Sequence, residues 1–172
     1  MDQVEYFYNT QGSNKLQAEW MQAQWKQNLG ITVPLRNMEW KTFLDSKAKL
    51  DYKGFARSGW GADFMDPFTF LSVFYTGGES GTGWTDHKYI EMLDEANRTL
   101  DTKKRYELLA KAEDYMLKQQ PIIPIASTAV NWMKKPYVKG MYPNPGSLFP
   151  WKFVYIERDQ AKWDFGTPSL AD

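Results

Sequence analysis

Cysteine is absent from all 172 residues, which excludes disulfides, thiolate nucleophiles and Cys-ligated zinc or iron–sulfur centres. Histidine occurs once, at His87, too few for a His-based metal cluster or a triad with a base to spare. No metal or cofactor is expected. An excess of either charge is also missing: 21 Lys and Arg against 21 Asp and Glu give 21 − 21 = 0. Nucleic acid and anionic membranes select a basic face, so neither is expected as a partner. Long apolar runs are lacking too. Phe68–Tyr75 and Ile122–Val130 are the longest, and both are too short and too interrupted by Thr, Ser or Pro to span a membrane. Met1–Tyr6 has neither the basic flank nor the apolar stretch of a secretory leader. Its abrupt entry into a strand-like run is expected of a boundary inside a longer chain.

What is present is a chain of one-domain size, able to bury roughly 70% of its unfolded surface, with an aromatic excess. Eight Trp, 10 Tyr and 10 Phe make up 16% of the residues, more rings than a core of this size needs, so some are expected to serve recognition. Alternation predicts a strand over 3–9, closed by the turn cluster Thr10–Asn14. A helix over 15–29 follows, with Ala18, Met21, Trp25 and Leu29 on one stripe and Leu16 and Trp20 outside it, a pattern of coverage on more than one side. Gly30 is placed to end it. Ile31–Leu35 reads as a strand with Pro34 at its end, and 39–49 as a helix carrying Trp40, Phe43 and Leu44. Gly54–Trp60 reads as a short strand running into a glycine-rich bend, and Pro67 opens a short helix through Tyr75. Residues 77–83 form a loop without the Lys-Ser/Thr ending of a phosphate cradle.

Two helices are predicted next. The first, 86–100, is capped by Asp86 and carries Ile90, Leu93, Asn97 and Leu100 on one face. The second, 102–119, buries Tyr106, Leu109, Ala110, Met116 and Leu117, with Lys103, Lys104 and Arg105 on a solvated face. An extended stretch over 122–133, a proline-bearing loop and a last strand over 151–156 complete the chain. Strands alternating with helices predict an α/β fold in layers.

Chemistry concentrates in residues 55–71, FARSGWGADFMDPFTFL. Gly59 and Gly61 allow unusual backbone angles and close approach of a ligand. A carboxylate beside an indole at such a bend suits a cationic group: Asp63 accepts charge-assisted hydrogen bonds and Trp60 supplies a wall. Arg57 suits an anionic group farther along the same cleft. The plain structural alternative is that Asp63 and Asp66 cap the following helix while Arg57 neutralises one of them. A three-residue spacing does not place Asp63 and Asp66 across a scissile bond, and no hydrolase or Walker motif is present, so no enzymatic activity is expected.

The segment GWGADFMDPFTFL resembles a characteristic region of bacterial oligopeptide-binding proteins, the extracellular solute-binding proteins of family 5 that feed ABC importers. The resemblance continues in order through YNTQGSNKLQAEWMQAQWKQNLGITVPLRNMEWKTFLD, KKRYELLAKAEDYML, QQPIIPIA and KKPYVKGMY. It implies a periplasmic-binding-protein type II-like lobe with helices packed on a mixed sheet. Residues 1–135 are then part of the carboxy-terminal lobe, and 136–172 a return segment that packs on an amino-terminal lobe. It further implies non-catalytic capture of an oligopeptide, with Asp63 on the α-ammonium, Arg57 on the carboxylate, Trp60 lining a side-chain pocket and Gly61 beside it. ABC permease subunits are the implied partners of the full-length parent, which is extracytoplasmic, either periplasmic or a cell-surface lipoprotein. For this chain, a homodimer by exchange of the carboxy-terminal segment is expected. A carbohydrate-binding module is the alternative that the aromatic excess leaves open. Relatives for dipeptides, metal complexes or haem are the alternative within the family.

Overall fold

The alternation of short strands with amphipathic helices builds a repeated strand–helix unit in the first half of the chain. The computed structural model describes residues 4–75, 80–129, 131–142, 144, 146 and 149–165. Residues 77–79 of the glycine-rich loop, Pro143, Pro145, Leu148 and the end of the tail lie outside them. The chain forms two units, Met1–Gly61 with Asp66–Ile123, and Ala62–Met65 with Pro124–Asp172.

In the first unit β1 (Glu5–Asn9), α1 (Asn14–Leu29), β2 (Leu35–Met38), α2 (Trp40–Ala48) and β3 (Gly54–Ala56) follow in order. β1 lies between the others in a parallel sheet of order β2-β1-β3, with Tyr6 opposite Leu35 on one side and Phe55 on the other. Successive side chains of a strand face opposite sides, and β1 uses both. Tyr6 and Tyr8 pack with Ala18, Val33, Met21 and Trp25 under α1. Phe7 turns the other way, 4.7 Å from Phe43 of α2 and 6.2 Å from Tyr52 between ring centres. The second strand begins where Ile31–Leu35 was expected to finish. Pro34 has no N–H to give a ladder; instead its carbonyl accepts the Tyr6 amide at 2.8 Å. Gly30 ends α1 in the left-handed conformation, φ 70°, with its N–H on the Lys26 carbonyl.

A second core lies beneath α3 (Phe68–Leu71), the 3₁₀ turn Ser72–Phe74, α4 (His87–Arg98) and α5 (Thr102–Gln119). Leu71, Val73, Phe74, Tyr89, Leu93, Ala96, Leu109, Ala112 and Met116 are its buried members. The Tyr89 hydroxyl, fully buried, donates to the Leu71 carbonyl at 2.8 Å. Asp86 caps α4 as expected, accepting the Tyr89 amide at 2.9 Å. Its carboxyl is held below the usual range by that bond first and by the Tyr115 hydroxyl as well.

The buried faces differ from the expected ones. In α4 the stripe is Tyr89, Leu93 and Ala96, while Asn97 is exposed and Leu100 is 98% exposed beyond the helix end. In α5 it is Leu109, Ala112 and Met116; Tyr106 and Ala110 instead line a shallow apolar groove with Pro67 and Phe70. Leu16, Trp20 and Leu29 are exposed, so α1 is covered on one side only within its unit.

In the second unit β4 (Val138–Lys139) pairs antiparallel with β5 (Tyr155–Ile156). The expected mixed sheet is thus divided: parallel pairs in one sheet, an antiparallel pair in another. Asp164 bridges Lys139 at 2.7 Å and Lys134 at 3.8 Å, and Trp163 lies tilted against Tyr137 while donating Nε1–H to the Glu157 carbonyl. The expected strand over 151–156 is a 3₁₀ turn, Trp151–Phe153, before β5 begins. Among the described residues of 122–133 no strand forms.

Candidate functional site

In an open parallel sheet, ligands bind outside the carboxyl ends of the strands, at the point where successive connections diverge to opposite faces. Here that point lies between β1 and β3, since α1 covers the Tyr6 face and α2 the Phe7 face. The strands end at Asn9, Met38 and Ala56.

Arg57 follows β3 directly. Its amide donates to the Phe7 carbonyl at 2.7 Å, so the backbone of β1 fixes its position at the divergence. Its side chain is half-buried, and its Nε is buried without a hydrogen-bond partner among the described residues. Such an atom carries a desolvation cost unless an acceptor arrives. The guanidinium also acts on Tyr6: burial pushes the phenol up from its ordinary value, and the positive charge of Arg57 opposes that shift.

Sequence reasoning passed over Lys47 of α2. Its Nζ donates to Ser58 Oγ at 3.1 Å, and burial lowers its pKa from the ordinary lysine value. A second cation therefore stands against the segment that Arg57 opens. Asn9 and Asn14 form a buried polar pair at the end of β1, with the Asn14 amide donating to Asn9 Oδ1 at 3.1 Å. The ends of β1 and α2 were legible in the sequence, but no local pattern shows that Asn14 turns back to Asn9 or that Lys47 reaches Ser58, 11 residues along the chain.

Trp60 is 48% exposed, and Gly61 is exposed as well. Neither Gly59 nor Gly61 takes a positive φ, so the expected unusual backbone angles are not adopted. A Cβ added at either would meet nothing within 4 Å, so close approach is the property that remains. Asp63 is exposed and belongs to the second unit; the chain leaves the first unit after Gly61 and returns at Asp66. Arg57, Trp60 and Gly61 are thus held by one unit and Asp63 by the other.

Asp66 takes the structural role foreseen for it and more. It accepts the Phe68 amide at 2.9 Å and pairs with both terminal nitrogens of Arg105. Arg105 was expected on a solvated face; it is instead half-buried in that pair. The ion pair of Asp66 is with Arg105 and not with Arg57. His87 is exposed in the first turn of α4, near Glu91. Among the described residues no group of acidic or histidine side chains could hold a metal ion, and no helix is long and apolar enough to cross a membrane.

Residues 2–82 match the sequence model of bacterial extracellular solute-binding proteins, family 5 Middle. The oligopeptide-binding protein OppA of Bacillus subtilis is 34% identical over 152 residues, covering 87% of this chain and 28% of that protein. A probable deoxycholate-binding periplasmic protein of Escherichia coli is 35% identical over 156 residues, 89% of this chain and 29% of its own length. The solved structure of Haemophilus influenzae OppA, in complex with RPPGFSPFR, superposes with a TM-score of 0.78 at 31% identity, over 90% of this chain and 31% of that one. The chain spans less than a third of the length of each of these proteins, and its α/β architecture is theirs. On these matches the chain is similar to a part of the bacterial extracellular solute-binding proteins of family 5.

Proposed function

We propose that this chain is part of an extracytoplasmic receptor that captures oligopeptides without chemistry and delivers them to an ABC importer through its permease subunits. The observation that carries this reading is Arg57, set by the Phe7 carbonyl at the sheet's divergence point with a buried Nε that lacks an acceptor among the described residues. Arg57 receives the peptide carboxylate, Asp63 the α-ammonium, and Trp60 packs on a side chain where Gly61 leaves room. Lys47 adds a second positive charge beside Ser58. In the full-length receptor, residues 1–135 contribute to the carboxy-terminal lobe and 136–172 return to the amino-terminal one.

Calorimetry with matched peptides tests the reading. In the full-length receptor Asp63→Ala is expected to weaken peptides with free amino termini by about 2–5 kcal/mol, because a buried ammonium loses its partner. Equal affinity of the unmutated receptor for free and N-acetylated peptides would sink it. The 172-residue chain alone is expected to bind a tri- to pentapeptide mixture no tighter than about 100 µM, roughly 5.5 kcal/mol, because exposed ion pairs contribute little.

A second reading draws on the deoxycholate-binding relative. Deoxycholate shares with a peptide a carboxylate on an apolar body, and has no ammonium. A site of this second kind keeps Arg57 as the anchor and leaves Asp63 without a task. Arg57→Met weakens ligand on either reading, whereas Asp63→Ala weakens only peptides.

A further inference from the structure

The segment that carries Trp60, Gly61 and Asp63 is fastened to the first unit at both of its ends. At its start the Arg57 amide holds the Phe7 carbonyl of β1 at 2.7 Å. At its finish Asp66 grips α5: Oδ2 accepts from Arg105 Nη1 at 2.5 Å and Oδ1 from Nη2 at 3.0 Å, across 39 residues of sequence. The same carboxylate accepts the Phe68 amide at 2.9 Å, which opens α3. Capping α3 requires only that last bond. The fork-on-fork pair with Arg105 is additional, and both side chains are about one-fifth exposed, 22% and 20%, where a bidentate ion pair is worth more than an open surface contact. A stretch tied at both ends samples fewer positions than one tied at a single end.

We propose that Asp66 and Arg105 form a clasp that positions residues 58–65, so that α5, which contributes no residue to the candidate site, sets how well Asp63 meets the ligand. The inference rests on the reading of Asp63 as the ammonium acceptor. Asp66 and Arg105 touch no ligand in it; both are positioning residues.

Three substitutions separate the clasp from the cap. Asp66→Asn keeps an oxygen for the Phe68 amide but loses the charge, Arg105→Gln removes the fork, and Arg105→Lys keeps the charge without the fork. Amide hydrogen exchange on the 172-residue chain is expected to quicken about tenfold over residues 58–65 in the first two, with α4 and α5 unchanged and Arg105→Lys in between. No quickening there, or a uniform rise through α3, α4 and α5, overturns the clasp. In the full-length receptor, the preference for free over N-acetylated peptides is expected to fall about tenfold in Arg105→Gln, partly restored in Arg105→Lys. An unchanged preference likewise overturns it. If the unmutated receptor has no such preference, the role of Asp63 fails, and the exchange pattern still decides the clasp.

Discussion

At the scale of single residues, two charges acting on buried neighbours give measurable consequences. Arg57 holds the Tyr6 phenol lower than burial alone would put it. Arg57→Met is therefore expected to raise the Tyr6 pKa further, read from the ring carbon shift of labelled tyrosine against pH; a fall would place Arg57 elsewhere. Asp66 is the acidic counterpart. The Arg105 hydrogen bonds hold its carboxyl below the usual range, and the Phe68 amide adds to this. Its folded pKa lies below the unfolded value of about 3.9, so its contribution is complete above that value and is lost as pH falls through the folded pKa. Between about pH 5 and pH 2, wild-type stability in urea is expected to drop more steeply than that of Asp66→Asn. Parallel slopes would show that Asp66 contributes nothing through its charge. Residue chemistry was legible in part: Asp66 was foreseen as a cap of the following helix, but nothing local pairs it with Arg105. That contact exists because α5 folds back beside α3, and side-chain partners 39 residues apart leave no periodic trace.

At the scale of elements, the stops and caps were legible because they depend on one residue and its neighbours. Gly30 occupies a left-handed position with open space around a Cβ, so Gly30→Ala is expected to cost about 1 kcal/mol of pure backbone strain, measured as a shifted urea midpoint at unchanged slope. A neutral result would mean that α1 frays before Gly30 matters. The faces of α4 and α5 were misread for a common reason. In each helix a period of 3.6 fits more than one stripe drawn through the apolar residues. Tyr89 decided the α4 face: its ring fills the core beside Trp84, and its hydroxyl finds the Leu71 carbonyl, so a residue with a polar tip is buried where a Leu100 is not. Tyr89→Phe keeps the ring and strands that carbonyl, at an expected cost of about 1–3 kcal/mol. The second strand was displaced because Pro34 interrupts an apolar run whose register is set by β1, a partner that the run itself cannot reveal.

At the scale of the whole molecule, the α/β layering followed from strand–helix alternation, and the extent of the second unit did not. Its described residues hold few long elements: two short strands, 3₁₀ turns and the Lys139–Asp164 and Tyr137–Trp163 contacts. Around them Tyr142, Trp151, Phe153, Tyr155 and Ile156 are exposed, with Trp151 at 71%. That much accessible aromatic surface on so little structure is more than isolated surface hydrophobes explain. A second copy of the chain offers a surface for such rings. Exchange of residues 136–172 between two copies is the expected outcome, since a segment shaped to dock can dock reciprocally. Sedimentation and solution scattering should then report a dimer whose population rises with concentration. Deleting residues 136–172 should give a soluble monomer that still unfolds cooperatively, because the cores beneath α1 and between α4 and α5 lie within the first unit. A strictly monomeric mass for the intact chain at every accessible concentration would rule out the exchange and leave those rings in water, at a cost in solubility that the same samples would display.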